Sequence, residues 1–329
     1  MEGIKQNKRL LKVIIPVAAV LIIIFAGFIG YKVMKPTPEK TVQKYCDYLT
    51  NKEYDKAYKM LYNTDNDFMS EEMFEASLKS IDFKGYAIKD TNNKDYGLDV
   101  KQEEKSASYE VQVQGKTYYI EMLQNSNGLI FKDYKIDATK LADKWTFTVP
   151  EGTEVYINNK KIEKAGNTNN KSSYGKDKYD SKKIDISVDN IFKGHYDLTL
   201  KLDGAEDIIK EDVDSGEKII TDFKPKQELV DELDKKVKEF LNAYYKNSDL
   251  SNLVTSNNNL LSKKRSGDDV LSDINIKNIK LKGSNIASLD VTYTCQFSIW
   301  GTKYSEEKEK AINLEKENDK WVISFFDVN

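Results

Sequence analysis

The chain has 329 residues, enough for two or three domains that each bury a core. It is polar, with 32% charged and 39% hydrophobic residues, but 20 tyrosines and a patterned set of apolar positions exclude a disordered chain. Lys+Arg (51) and Asp+Glu (54) nearly balance at a net charge of -3, and the basic residues are scattered, which leaves no electrostatic footprint for nucleic acid.

The first element is the uncharged run VIIPVAAVLIIIFAGFIGY, Val13 to Tyr31. About 19 residues at about 1.5 Å each match a hydrocarbon core of about 30 Å, so the run predicts a transmembrane helix over 13–31. Lys5, Lys8, Arg9 and Lys12 precede it, which predicts a cytoplasmic tail over 1–12 and an extracellular remainder. A cleaved secretory signal shares this layout, but the run is long for one and no small-x-small site follows. The expectation is a single-pass cell-membrane protein whose partner at 13–31 is the lipid bilayer.

Beyond Pro36 and Pro38, helical spacing marks two short helices: Val42, Tyr45, Cys46 and Leu49, then Tyr54, Ala57, Tyr58 and Leu61. A third fits SEEMFEASLKSI, with Ser70 as its cap. From about Tyr86 the period changes to two, through SYEVQVQGKTYYIEML with a turn at Gly115 and on to GLIFKDYKID, which predicts an antiparallel sheet. From Trp145, WTFTVPEGTEVYINNKKI, IDISVDNIFKGHYDLTLKL, EDIIKEDV and EKIITDFKP predict a small all-β sandwich around a polar loop, KAGNTNNKSSYGKDKYDSKK. The last part opens with a helix, QELVDELDKKVKEFLNAYYKN, whose stripe is Val230, Leu233, Val237, Phe240, Leu241 and Tyr244, and ends in strands punctuated at Trp300-Gly301 and Asn318-Asp319. VQKYCDYLTNKEY and VKEFLNAYYKNSD form a weak internal repeat.

On these residues both outer parts resemble nuclear transport factor 2-like domains, in which helices pack into a bent antiparallel sheet. TVQKYCDYLTNKEYDKAYKMLY and FMSEEMFEASL are similar to the accessory module at the front of some transpeptidases, and PEGTEVYINNKKI with IFKGHYDLTLKLDG is similar to small β domains of the same setting. The succession resembles the teicoplanin-resistance-associated membrane proteins of Firmicutes. It differs from many of them in having no cysteine in MEGIKQNKRLLK, so no zinc ribbon. The expected fold is one transmembrane helix, an α+β domain over 32–142, a small β-sandwich over 143–225 and a second α+β domain over 226–329.

Chemistry is scarce. Cys46 falls on a helix stripe and Cys295 in a strand, which predicts two buried, inert thiols and no disulfide framework. His195, the 1 histidine, follows Gly194 and reads as an exposed turn residue. Ser215-Gly-Glu-Lys218 and Ser305-Glu-Glu-Lys308 match the serine-x-x-lysine of transpeptidases by letter, but in turn or strand context and without the partner motifs. Asp268-Asp269 and Glu306-Glu307 are read as solvated acids. Tyr118, Tyr119 and Tyr134, and Tyr293, Phe297 and Trp300, are read as core aromatics or as the lining of a sugar-stacking pocket. No catalytic, metal or cofactor residue is assigned, and the ligand-binding residues stay open. The expectation is a non-enzymatic binding or scaffold protein of a Gram-positive envelope, recognising by resemblance a wall polymer, a glycopeptide or an envelope protein. The alternative is a regulatory subunit that senses envelope stress through its membrane helix.

Overall fold

The computed structural model describes residues 37–91, 106–125, 133–163, 183–220, 222–256, 258–262 and 269–326. The chain divides into two compact units, the first ending at Ala142 and the second beginning at Asp143.

In the first unit, helix α1 (Pro38–Thr50) starts where Thr37 caps it by accepting from the Lys40 N–H at 3.2 Å, with Pro38 pre-set for the first turn. Its apolar stripe is buried through Val42, Tyr45, Cys46 and Leu49. Helix α2 (Tyr54–Tyr58) is a single turn, and α3 (Glu71–Leu78) is capped by Ser70. Phe74 of α3 meets the rings of Tyr45 and Tyr58 at 6.4 and 5.8 Å, which ties the three helices together. The sheet has the order β1-β5-β4-β3-β2, with β1 (Leu61–Tyr62), β2 (Ala87–Asp90), β3 (Ser106–Val113), β4 (Lys116–Asn125) and β5 (Asp133–Asp137). Gln114 and Gly115 both take positive φ, 50° and 78°, the tight turn whose twist matches a β-hairpin.

The second unit opens with two facing sheets. One has the order β12-β6-β9, with β6 (Ala142–Pro150), β9 (Lys183–Phe192) and β12 (Ile219–Ile220). The other has the order β11-β10-β7-β8, with β7 (Glu154–Ile157), β8 (Lys160–Lys161), β10 (His195–Lys201) and β11 (Ile208–Asp214). Trp145 of β6 lies 6.1 Å from Tyr196 of β10, and its indole N–H donates to the Glu217 carbonyl at 2.9 Å. Helix α4 (Gln227–Tyr245) then covers the sheet β13-β14-β15-β16, made of β13 (Val270–Gly283), β14 (Ile286–Ile299), β15 (Thr302–Glu317) and β16 (Lys320–Phe326). Phe326 is wedged against Phe240 at 5.2 Å and Tyr244 at 5.0 Å, and the Tyr245 and Tyr293 hydroxyls hydrogen-bond at 2.7 Å.

The sandwich and this last layer join inside the unit. Glu151 forms a parallel bridge to Gly283, and the Ser284 N–H donates to the Glu151 carbonyl at 3.0 Å. Lys316 pairs with Asp203 at 2.8 Å.

Two expectations are corrected. The expected architecture, a membrane helix followed by α+β, sandwich and α+β domains, gives way to a mostly β chain of four sheets with four α-helices among the described residues. The single-pass membrane placement also falls, because no helix among the described residues is long and apolar enough to cross a membrane. The longest helix described, α4, does not qualify because its 19 residues bury one side, while Glu228, Asp231, Lys235 and Lys238 are distributed along the rest, so it lies on a sheet. The expected tail at 1–12 and span at 13–31 lie outside the described residues, as do most of the polar loop after Glu163 and the start of GLIFKDYKID.

Gly152 sits at φ +90° beside the junction, and a Cβ there would lie 2.4 Å from the Ser284 Oγ. Gly152→Ala therefore adds backbone strain to a clash, with an expected loss of about 2 kcal/mol or more in urea unfolding. Ser284→Gly in the same background removes the clash and is expected to restore only part of that loss.

Candidate functional site

The residues singled out in the sequence do not converge. Tyr118 and Tyr119, being neighbours on β4, point to opposite faces: Tyr118 packs on Phe83 at 6.0 Å, whereas Tyr119 is exposed. Tyr134 is half-buried, its hydroxyl accepting from the Gln124 side chain at 3.5 Å. Tyr293 is core. Phe297 stacks on Tyr304 at 5.7 Å near the tip of the β14–β15 hairpin, where Trp300 stands wholly exposed in the turn.

His195 is half-buried rather than an exposed turn residue. Its Nδ1 lies 3.2 Å from the Asp212 carbonyl oxygen and 3.4 Å from the Asp212 carboxylate, and its Nε2 is 3.8 Å from Asp214. Ser215 is buried, with its Oγ accepting from the Gly194 N–H at 3.2 Å, so this hydroxyl fastens a turn. Ser305, Glu306 and Glu307 are exposed on β15, Lys308 pairs with Glu306 at 3.3 Å, and Asp268 lies outside the described residues.

A cavity of about 330 Å³ opens instead in the first unit, between α1 and the edge strand β2. It is lined by Glu39, Gln43, Tyr86, Ile88, Asp90 and Tyr109. Two periodicities build it. Glu39, Gln43 and Asp47 recur every four residues and so share one side of α1, next to its buried stripe. Tyr86, Ile88 and Asp90 recur every two, and the register sets Ile88 opposite Val111 and Asp90 opposite Tyr109. Cross-strand partners share a face, so Asp90 lies on the same sheet face as buried Tyr109 and Val111.

The Tyr86 hydroxyl donates to the Asp47 carboxylate at 2.7 Å and closes one end of the groove. Burial, followed by that hydrogen bond, pushes the Tyr86 pKa well above the usual tyrosine range. At the other end stand the carboxylates of Glu39 and Asp90. Tyr109 forms the floor with a relative exposure of 6%. Burial raises its pKa first, and the negative charges of Asp90 and Glu39 raise it further, so the potential of both acids reaches this hydroxyl.

The alternation from Tyr86 was legible in the sequence, but its meaning was not. A strand pattern does not say which side of a helix will face it, and Glu39 and Gln43 lie off the apolar stripe of theirs. No group of three or more His, Cys, Asp or Glu suited to a metal occurs among the described residues.

With this geometry in hand, comparison with known proteins adds little. No family model matches the chain, and neither does any curated protein. Among solved structures the chain is similar to an "Ntf2 like protein involved in plasmid conjugation", at 9% identity, covering 69% of this chain and 72% of that one, with a TM-score of 0.28. A likeness of that size carries no argument for fold or function, and the teicoplanin-resistance-associated family gains no match.

Both thiols are buried and unbridged. Burial, with Asp47 nearby, pushes the Cys46 pKa from 9.0 up to about 12. Because the folded state holds the proton more tightly, this contribution to stability is complete below about 9 and is lost as pH rises towards about 12. A disulfide reagent at pH 8 is expected to label neither cysteine in the native protein and both in urea. Rapid native labelling of Cys46 would contradict its packing.

Proposed function

We infer that this chain is a non-enzymatic binding protein whose ligand seat is the groove between α1 and β2. The reading is carried by one observation: a cavity of about 330 Å³ between α1 and β2, floored by the mostly buried Tyr109 and edged by the polar side chains of Glu39, Gln43 and Asp90. The volume lies at the small end of ligand pockets, about 300–1,000 Å³, which favours a small molecule or one group of a larger one.

The sequence resemblance alone supplies the setting, a Gram-positive envelope, and the ligand class, a component of that envelope. Nothing in the argument for the groove depends on it. The non-enzymatic part of the reading is supported by how the candidate nucleophile and base are used, since Ser215 secures a turn and His195 sits between two aspartates.

The test is ligand-observed NMR with the purified protein against solubilised envelope fractions, beside Gln43→Trp, which fills the groove from an exposed helix position. Wild type is expected to bind a fraction and leave it chemically unchanged, and Gln43→Trp to lose that binding with an unaltered melting curve. Equal binding by the two proteins, or conversion of the bound component, overturns the reading.

A further inference from the structure

In the second unit, β15 runs beside β14 without a register shift from Ile299↔Thr302 to Ile286↔Glu315, whereas β16 joins its other side only at Ile312. Among the described residues no strand pairs with that side over 302–309. The two-residue turn at Trp300 and Gly301, with φ 48° and 84°, makes Ile299–Thr302 a hydrogen-bonded pair. Alternate residues from Thr302 therefore turn their backbone groups to β14, and Lys303, Ser305, Glu307 and Glu309 turn theirs outwards.

We propose that this edge pairs with the same edge of a second copy, antiparallel, about a two-fold axis at Ser305. The partner is fixed by charge. Antiparallel strands related by a two-fold axis set one residue opposite itself, and opposite residues share a face. With Glu306, Glu307, Lys308 or Glu309 on the axis, like charges meet. Tyr304 on the axis shortens the ladder and sets Lys303 opposite Ser305. With Ser305 there, Lys303 of each copy faces Glu307 of the other, Thr302 faces Lys308, Tyr304 faces Glu306, and no like-charged pair forms. Lys303, Ser305 and Glu307 are all exposed, so each is open to a neighbour.

Charged side chains on an edge strand also have a plainer use, which is to discourage pairing. The rest of this sheet shows how its edges are otherwise blunted. On β13 the register shifts three times, and Asp273 and Asn278 take positive φ. The outer side of β16 is covered by residues 253–255: the Thr255 N–H donates to the Ile323 carbonyl at 3.0 Å, and the Ile323 N–H donates to the Leu253 carbonyl at 2.8 Å. The free stretch of β15 has neither device. Its charges deter a strand that matches like with like, and they admit the one register that matches Lys303 with Glu307.

The experiment measures self-association of the full-length protein by sedimentation velocity at micromolar concentration and low salt. Wild type is expected to form a dimer. Lys303→Glu and Glu307→Lys each convert two attractive pairs into two repulsive ones, and each is expected to weaken the dimer about tenfold. Combining both changes in one chain restores the pairing, and so does mixing the two single variants, which then associate with each other in preference to themselves. Ser305→Cys places two thiols across the axis, where a hydrogen-bonded pair has a Cα separation of about 5.5 Å, inside the disulfide span of about 4.4–6.8 Å. Mild oxidation is expected to link that variant covalently and to leave Ser298→Cys, on the far strand of the hairpin, unlinked; Cys46 and Cys295 are buried and do not compete.

A wild-type protein that stays monomeric overturns the inference, whatever other molecule it binds. A dimer indifferent to both charge reversals, or one that the combined variant and the mixture fail to restore, overturns it too, as does a dimer in which Ser305→Cys links no better than Ser298→Cys. Melting curves verify that each variant is folded, and recovery on mixing shows that neither single change acts by unfolding. None of these outcomes bears on the groove of the first unit.

Discussion

Strand β3 turns every second side chain towards the helices, and the antiparallel register carries that choice to both neighbours. Ala107, Tyr109, Val111 and Val113 are all buried, so their partners Met122, Ile120 and Tyr118 on β4, and Asp90 and Ile88 on β2, share the same face. A slip of one residue would turn Asp90 and Tyr109 outwards together and dissolve the groove. The acid of the groove is thus held in place by the hydrophobic demand of the strand beside it.

The groove exists because the two layers stop matching at the sheet edge. Further in, Tyr118 packs on Phe83, and Thr50 of α1 donates to the Cys46 and Phe83 carbonyls at 2.8 and 3.3 Å. Towards its N-terminus α1 presents Glu39 and Gln43, which are too polar to bury, against an edge strand that ends at Asp90. The Tyr86–Asp47 hydrogen bond marks the boundary between the closed part of this interface and the open part. Binding surfaces commonly arise this way, where a scaffold that is rigid for packing reasons runs out of apolar residues to pack.

In the second unit packing is carried to completion. Helix α4 buries Leu229, Leu233, Val237, Phe240, Leu241, Tyr244 and Tyr245, and the sheet answers with Tyr293, Ile312, Leu314 and Phe326. The same alternation that buries Ala287 through Cys295 continues past the helix to Phe297 and Ile299, which explains why the hairpin tip is aromatic and exposed. Trp300 has no neighbour there to define what it would meet, so it contributes area without specificity.

By itself the amino-acid order determined the local pieces: the capped, striped helices at Pro38 and Gln227, the two-residue period of the strands, the glycine and asparagine turns, and cysteines placed on apolar stripes. These are legible because they depend on spacing along one segment and on the backbone freedom of single residues. It also led to an overdrawn architecture, since amphipathic helices in a sequence say nothing of how much sheet will surround them. Only the tertiary structure decided that Glu39 and Asp90, remote in sequence, face one cavity over Tyr109, that His195 stands between two aspartates, and that Gly152 must yield room to Ser284. Those meetings depend on register and on which faces pack, and both are settled by the shared burial of many residues at once, so no single segment records them.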